Sequence, residues 1–249
     1  MKRDVIVVTA AYGNQQVREM GGQQALLPVI AAAGADGVEI RRELLNEPEL
    51  AQLSALGADI AGKNLIAFYS VPEALFTDEG TLNPNLEQHL AEAEQLNARL
   101  IKYSLGNYRR GSDSSELRSR LAGKNVQLVV ENDQTGYGRF AAFDTFFHAD
   151  GESRICHGMT FDTGNWLWVG DRPLPAAESL SRYVSYIHVK AAVPHGDSWR
   201  AIPLDEADNL WRETLALLPA DAPRAIEFPL EGSDLVAVTR HYVDLLREV

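Results

Sequence analysis

Short runs of β-forming residues return along this chain at intervals of 27 to 39 residues. They begin near Val5, Gly37, Asn64, Arg99, Val126, His157, Ser185 and Arg224, and read VIVV, GVEI, NLIAFYS, RLIKYS, VQLVVE, HGMTFD, SYIHVK and RAIEF. Such an interval holds one strand, one helix and two connections. The runs are apolar at both alternations, as strands covered on both faces of a parallel sheet must be. Helical periodicity lies between them. Leu26, Val29, Ile30 and Ala33 keep one buried face, as do Leu235, Val238, Thr239, Tyr242 and Leu246 behind a Ser233-Asp234 cap. Gly34 and Gly62 stand where left-handed helix ends are expected.

Eight β→α units in 249 residues predict a single (β/α)₈ TIM barrel spanning residues 1–249 as one domain. An open doubly wound sheet usually carries a glycine-rich first turn, but here that turn reads Thr9-Ala10-Ala11-Tyr12-Gly13. The longest connection after a strand, from Ala191 to Asp205, is predicted to be a loop. In a barrel, the loops that follow the strands carry the site.

Charge narrows the partners. With 23 Lys+Arg against 35 Asp+Glu, the net charge of −12 repels a phosphate backbone, so no nucleic-acid partner is expected. Asp4 interrupts the apolar run behind Met1-Lys2-Arg3, leaving it too short for a secretory leader. No stretch reaches the roughly 18 apolar residues of a membrane helix. The one cysteine, Cys156, reads as core filler and fits a reducing compartment. A soluble, cytoplasmic chain without a membrane partner is expected.

The informative residues stand where the strands stop. Glu39 closes the second run, Lys102 lies in the fourth, Glu131 closes the fifth, Asp162 the sixth, His188 and Lys190 the seventh, and Glu227 the eighth. Charges inside apolar strands are costly unless paired or metal-bound. Under the barrel rule all of these open into one mouth. Glu131, Asp162, His188 and Glu227 offer three carboxylates and one imidazole, a donor set for one divalent ion such as Mn²⁺, Mg²⁺, Co²⁺ or Zn²⁺. The bland alternative is a buried ion-pair network with Lys102 and Lys190.

The segments GADGVEIR, LVVEND, TFDTGN, YIHVKA and AIEFPLEG, in this order, resemble the xylose-isomerase-like barrels, or sugar phosphate isomerase/epimerase superfamily. The resemblance runs through the whole predicted barrel. It implies that Glu131, Asp162, His188 and Glu227 hold one metal, that the substrate is a small carbohydrate, and that a homo-oligomer is an option. Three positions depart from the pattern. Ala191 stands where many members carry aspartate after His-x-Lys, Asn165 where epimerases often carry histidine, and Arg200 is the nearest counterpart of a substrate-binding arginine.

Glu131 and Glu227, from distant strands, suit a pair of bases that remove and return a proton beside a carbonyl. Two bases on opposite faces give an epimerase, and one base serving adjacent carbons gives an isomerase. Lys190, Lys102, Glu39, Arg200 and Asn165 are candidate substrate contacts. Trp166, Trp168 and Tyr12 are expected on the rim, and His89, His148 and His241 on the surface. The same residues would also serve a dehydratase of the dehydroshikimate or inosose type, and a non-catalytic sugar-binding barrel stays open. The abasic-site endonuclease branch of the superfamily needs extra histidines, whereas the third and fourth runs carry Tyr69-Ser70 and Tyr103-Ser104.

Overall fold

The computed structural model describes residues 3–110, 112, 114–148 and 156–249. Met1 and Lys2, where the leader-like stretch begins, lie outside them. Ten strands are described: β1 (Val5–Val8), β2 (Gly37–Arg41), β3 (Ile66–Phe76), β4 (Leu100–Gly106), β5 (Gln127–Glu131), β6 (Gly158–Asp162), β7 (Val184–Val189), β8 (Ala191–His195), β9 (Ser198–Ile202) and β10 (Arg224–Ile226). Eight of them close a parallel barrel in the order β1-β10-β7-β6-β5-β4-β3-β2. The predicted (β/α)₈ barrel is therefore the observed fold. No described helix is long and apolar enough to cross a membrane.

Strand alternation divides the core into two layers. Val38, Tyr69, Tyr103, Val130, Phe161 and Ile187 point outward and pack against the helices. Ile6, Val8, Phe68, Leu100, Val129, Tyr186 and Ala225 point inward and fill the barrel. This inward apolar cluster is the floor on which the polar residues of the mouth rest, because Glu39, Lys102, Glu131, His188 and Glu227 each follow a floor residue or its register partner by two positions on the same face.

Local signals mostly act as the sequence suggests. The last helix, Leu235–Glu248, starts on Asp234, whose side chain accepts the Ala237 N–H at 3.0 Å. Gly34 ends the helix Leu27–Ala32 in the left-handed region, at φ 83°. Gly62, in contrast, is the last helical residue of Leu53–Gly62, and the left-handed turn falls on Asn64, at φ 58°. Asparagine tolerates that conformation through its short polar side chain.

The segment read as a long loop is partly ordered. β8 and β9 pair antiparallel from Ala191↔Ile202 to His195↔Ser198, and Gly196 at φ 59° sits at the tip. A two-residue Gly-Asp turn between short extended runs is a hairpin signal. The hairpin follows β7 directly, and its Ala201 reaches the barrel mouth.

Candidate metal centre in the barrel mouth

Glu131, Asp162, His188 and Glu227 each offer a ligand atom, and these atoms lie within 4.8 Å of one another. They come from the ends of β5, β6 and β7 and from the residue after β10, four neighbouring positions on one arc of the barrel. Glu131 and Glu227 form the two ends of that arc.

Backbone geometry aims each group. Asp162 Oδ1 accepts the backbone N–H groups of Gly164 and Asn165, both at 2.8 Å, which turns Oδ2 toward the cluster. Asn132 ties the same strand end down, donating from Nδ2 to Asp162 O at 3.0 Å and accepting the Asp162 N–H at 2.9 Å. Gly164 keeps room for Lys190, since a Cβ there would come within 3.0 Å of Lys190 Cγ. On the imidazole, Nε2 contacts Glu39 Oε2 at 2.8 Å, so Nδ1 faces the cluster. Nδ1 has Glu227 Oε2 at 2.9 Å and Glu131 Oε1 at 2.8 Å. One ring nitrogen cannot hydrogen-bond both, and Glu131 Oε1 is buried with no hydrogen-bond partner among the described residues. A cation placed among these oxygens and Nδ1 would serve all of them, so the residues fit a divalent ion.

Three side-chain cations stand among the carboxylates. Lys102 pairs with Glu131 and lies 3.8 Å from Glu39 Oε1. Lys190 Nζ sits 2.9 Å from both Asp162 Oδ2 and Glu227 Oε2, and 3.0 Å from Asn165 Oδ1. Arg41 Nη1 reaches Glu227 Oε1 at 3.1 Å. The electrostatics follow from burial set against these neighbours. Burial pushes the Asp162 carboxyl up, to about 7, because Lys190 cannot offset both the loss of water and the adjacent Glu227. Burial opposes ionisation of Glu227 too, but His188 and Lys190 outweigh it and hold its carboxyl well below the ordinary range. Burial would also lower His188, yet Glu227, Glu39 and Glu131 hold it well above its usual value. Glu39 is held down to about 2, since His188 and Lys102 override its complete burial.

The other expected contacts divide. Lys190, Lys102 and Asn165 join the cluster. Glu39 also joins it, but from behind: it is fully buried and touches the far side of His188. Arg200 lies exposed on β9. Trp166 is in the core against Phe143 and Phe161 rather than on the rim, and Tyr12, though buried, lines the mouth. His89 is buried, 1% exposed, and its Nδ1 meets Tyr103 OH at 2.6 Å, so it is not a surface residue. Arg41 and Tyr186 were not singled out from the sequence. Strand alternation could have found both, since Arg41 lies two residues past Glu39 and Tyr186 two before His188.

Above the cluster a cavity of about 340 Å³ is lined by Ala10, Tyr12, Gln134, Lys190, Glu227 and Phe228 among others. That volume falls within the range of small-molecule sites, roughly 300–1,000 Å³.

No family model matches the chain, and no curated protein matches it. Solved structures do. A D-allulose 3-epimerase from Methylomonas sp. shares 12% identity and superposes with a TM-score of 0.69, over 99% of this chain and 97% of that one. A probable 3-DHS dehydratase, AsbF, from Bacillus anthracis shares 13% identity with a TM-score of 0.66, over 99% and 98% of the two chains. A fusion protein of a xylose isomerase-like TIM barrel with a 4-hydroxyphenylpyruvate dioxygenase shares 14% identity with a TM-score of 0.69, over 96% of this chain and 41% of that one. At these identities the likeness is one of architecture, and the chain has the fold of the xylose-isomerase-like barrels.

Proposed function

We propose that this chain is a metal-dependent isomerase or epimerase of a small sugar, sugar acid or sugar phosphate, working by proton transfer beside a carbonyl. The observation that carries the reading is the convergence of Glu131, Asp162, His188 and Glu227, the last of which, with Lys190, lines a sugar-sized cavity. Two of the structural neighbours lend support: the Methylomonas D-allulose 3-epimerase and the Bacillus probable 3-DHS dehydratase carry activities that both suit proton abstraction next to a carbonyl.

A divalent ion held by those four residues would offset the negative charge that develops on adjacent substrate oxygens. Glu131 and Glu227, at the two ends of the arc, are the proton carriers. Removal by one and return by the other to the opposite face inverts a carbon, whereas a single carboxylate serving two neighbouring carbons moves a carbonyl. Lys102 keeps Glu131 ionised and ready to accept a proton. Lys190, Asn165 and Gln134 form a hydrogen-bonding wall for substrate hydroxyls, with Gln134 Nε2 already on Asn165 Oδ1 at 3.0 Å. The hydrophobic faces of Tyr12 and Phe228 close the other side.

The test is incubation with Mn²⁺ in D₂O against a panel of ketoses, keto-sugar acids, ketose phosphates and dehydroshikimate, followed by NMR. Deuterium appearing at the carbon beside the carbonyl, with an inverted or isomerised product, is the expected outcome. An alkene product would move the chain to the dehydratases. No exchange with any substrate and no binding of Mn²⁺, Mg²⁺, Co²⁺ or Zn²⁺ would remove the reading altogether.

A further inference from the structure

We propose that Glu39 is a positioning residue that fixes the ring and tautomer of His188, so that Nδ1 is the nitrogen presented to a bound cation. This rests on the reading of Glu131, Asp162, His188 and Glu227 as a metal centre, and it moves Glu39 out of the substrate-contact set.

Glu39 lies inside the barrel, fully buried, and is not among the residues that line the cavity. Its Oε2 is held by two donors on one strand, Tyr186 OH at 2.8 Å and His188 Nε2 at 2.8 Å. Both side chains point inward from β7 because they are two residues apart. The Tyr186 hydroxyl has its proton committed to Glu39, so the carboxylate meets His188 as an acceptor and Nε2 as the donor. The nitrogen left over is Nδ1, the atom that lies 2.8 and 2.9 Å from Glu131 and Glu227.

Packing holds the pair in register. The Tyr186 ring stacks on Phe68 with centroids 4.8 Å apart and meets the His188 ring edge-on at 5.0 Å. The imidazole therefore cannot rotate without breaking the Glu39 bond or displacing the aromatic floor. The second oxygen, Glu39 Oε1, accepts no hydrogen bond among the described residues. It is steadied only by Lys102 Nζ at 3.8 Å and Arg41 Nη1 at 3.9 Å. Taking a carboxylate wholly out of water carries a desolvation cost even when it is paired. An apolar side chain would pack more cheaply there, so its placement behind His188 is accounted for by what it does to the ring. Carboxylates that orient metal-bound imidazoles in this way change metal affinity by about 10–100-fold when removed.

The experiment uses the full chain with Zn²⁺, a diamagnetic probe. Titration calorimetry is expected to show Glu39→Gln binding Zn²⁺ about 10–100-fold more weakly than wild type, with Tyr186→Phe losing less. Long-range ¹H–¹⁵N correlation spectra of the wild type are expected to show His188 protonated at Nε2 and zinc-bound at Nδ1. A zinc-bound Nε2 in the wild type overturns the proposal whether or not the variants fold. Unchanged zinc affinity in a folded Glu39→Gln chain also overturns it while leaving the metal centre standing. A wild type that binds no Zn²⁺ removes both.

Discussion

β3 and β4 carry a buried polar cluster on each face, and the two clusters differ in how completely their carboxylates are partnered. On the outer face, under the helix Leu86–Gln95, Glu92 Oε2 accepts from Arg42 Nε at 2.7 Å and Tyr69 OH at 2.7 Å. Glu92 Oε1 accepts from Arg42 Nη2 at 3.0 Å and Gln88 Nε2 at 2.9 Å. Beside it, His89 is held between Tyr103 and Glu73. On the inner face, Lys102 joins a group in which Glu39 Oε1 and Glu131 Oε1 accept nothing among the described residues. Two carboxylate oxygens there compete for one ring nitrogen. The Glu92 carboxylate has two donors on each oxygen, so it ties a helix to a sheet. The inner cluster keeps unsatisfied oxygens, and two of them, Glu131 Oε1 and Asp162 Oδ2, belong to the four residues whose ligand atoms converge, which is what a buried site for a cation requires.

The sharpest way to separate the two is to neutralise one carboxylate in each. Glu227→Gln is expected to lower turnover of the responding sugar by about 10²–10⁴-fold, the usual worth of a general base, without unfolding the chain. Glu92→Gln is expected to leave turnover near wild type. Steady-state kinetics beside circular dichroism would check both, and comparable activity losses in the two variants would break the division.

Next in size is the response to metal. A ligand that binds only the folded chain, present at 100 times its dissociation constant, adds about 2.7 kcal/mol. For a chain of this length that raises the melting temperature by roughly 5–10 °C. Calorimetric scans with Mn²⁺ are expected to show this rise in the wild type and in Glu92→Gln, and to show it lost in Glu131→Gln. A smaller effect is expected from Arg42→Met, which strips two donors from Glu92 and costs about 1–3 kcal/mol of stability, read by urea denaturation. Manganese affinity should not move with it.

Much of this organisation was written in the order of the residues. The strand-end positions of Glu131, Asp162, His188 and Glu227 were legible because each closes an apolar run, and closure of the barrel brings such ends together. What stayed hidden depends on partners far away in sequence. Glu39 faces His188 across 149 residues, so nothing local marks it as a support rather than a substrate contact. The buried state of His89 depends on Tyr103, on the strand that follows, 14 residues away. The β8–β9 hairpin was missed for a nearer reason: its two short strands flank a Gly-Asp turn inside a stretch of mixed polarity, where length favours a loop. Arg200 lies in the same hairpin, exposed on β9 beside Ala201, which lines the cavity.

Acidity offers the smallest test, since Glu92 and Asp162 should tilt stability in opposite directions, while Glu39 and Glu227 in the inner cluster, both held low, tilt it the same way as Glu92. Burial works against ionisation of Glu92, but its bonds from Arg42, Tyr69 and Gln88 prevail and hold its carboxyl near 2, below the ordinary 4.5. Between those values the unfolded chain binds the extra proton, so this contribution grows as pH rises through the window and is fully present above it. Asp162 is displaced the other way, from 3.8 to about 7. In that interval the folded chain keeps a proton that the unfolded chain has released, so stability drains away as pH climbs. Melting temperatures across pH 2 to 8 should therefore rise and then sag. Glu92→Gln should flatten the rise, and Asp162→Asn should flatten the sag. Divalent metal requires a deprotonated carboxylate, so added Mn²⁺ should bind more tightly as pH passes 7 and turn the sag into a gain. A sag that survives both Asp162→Asn and saturating metal would place its origin elsewhere and remove the electrostatic contrast between Glu92 and Asp162.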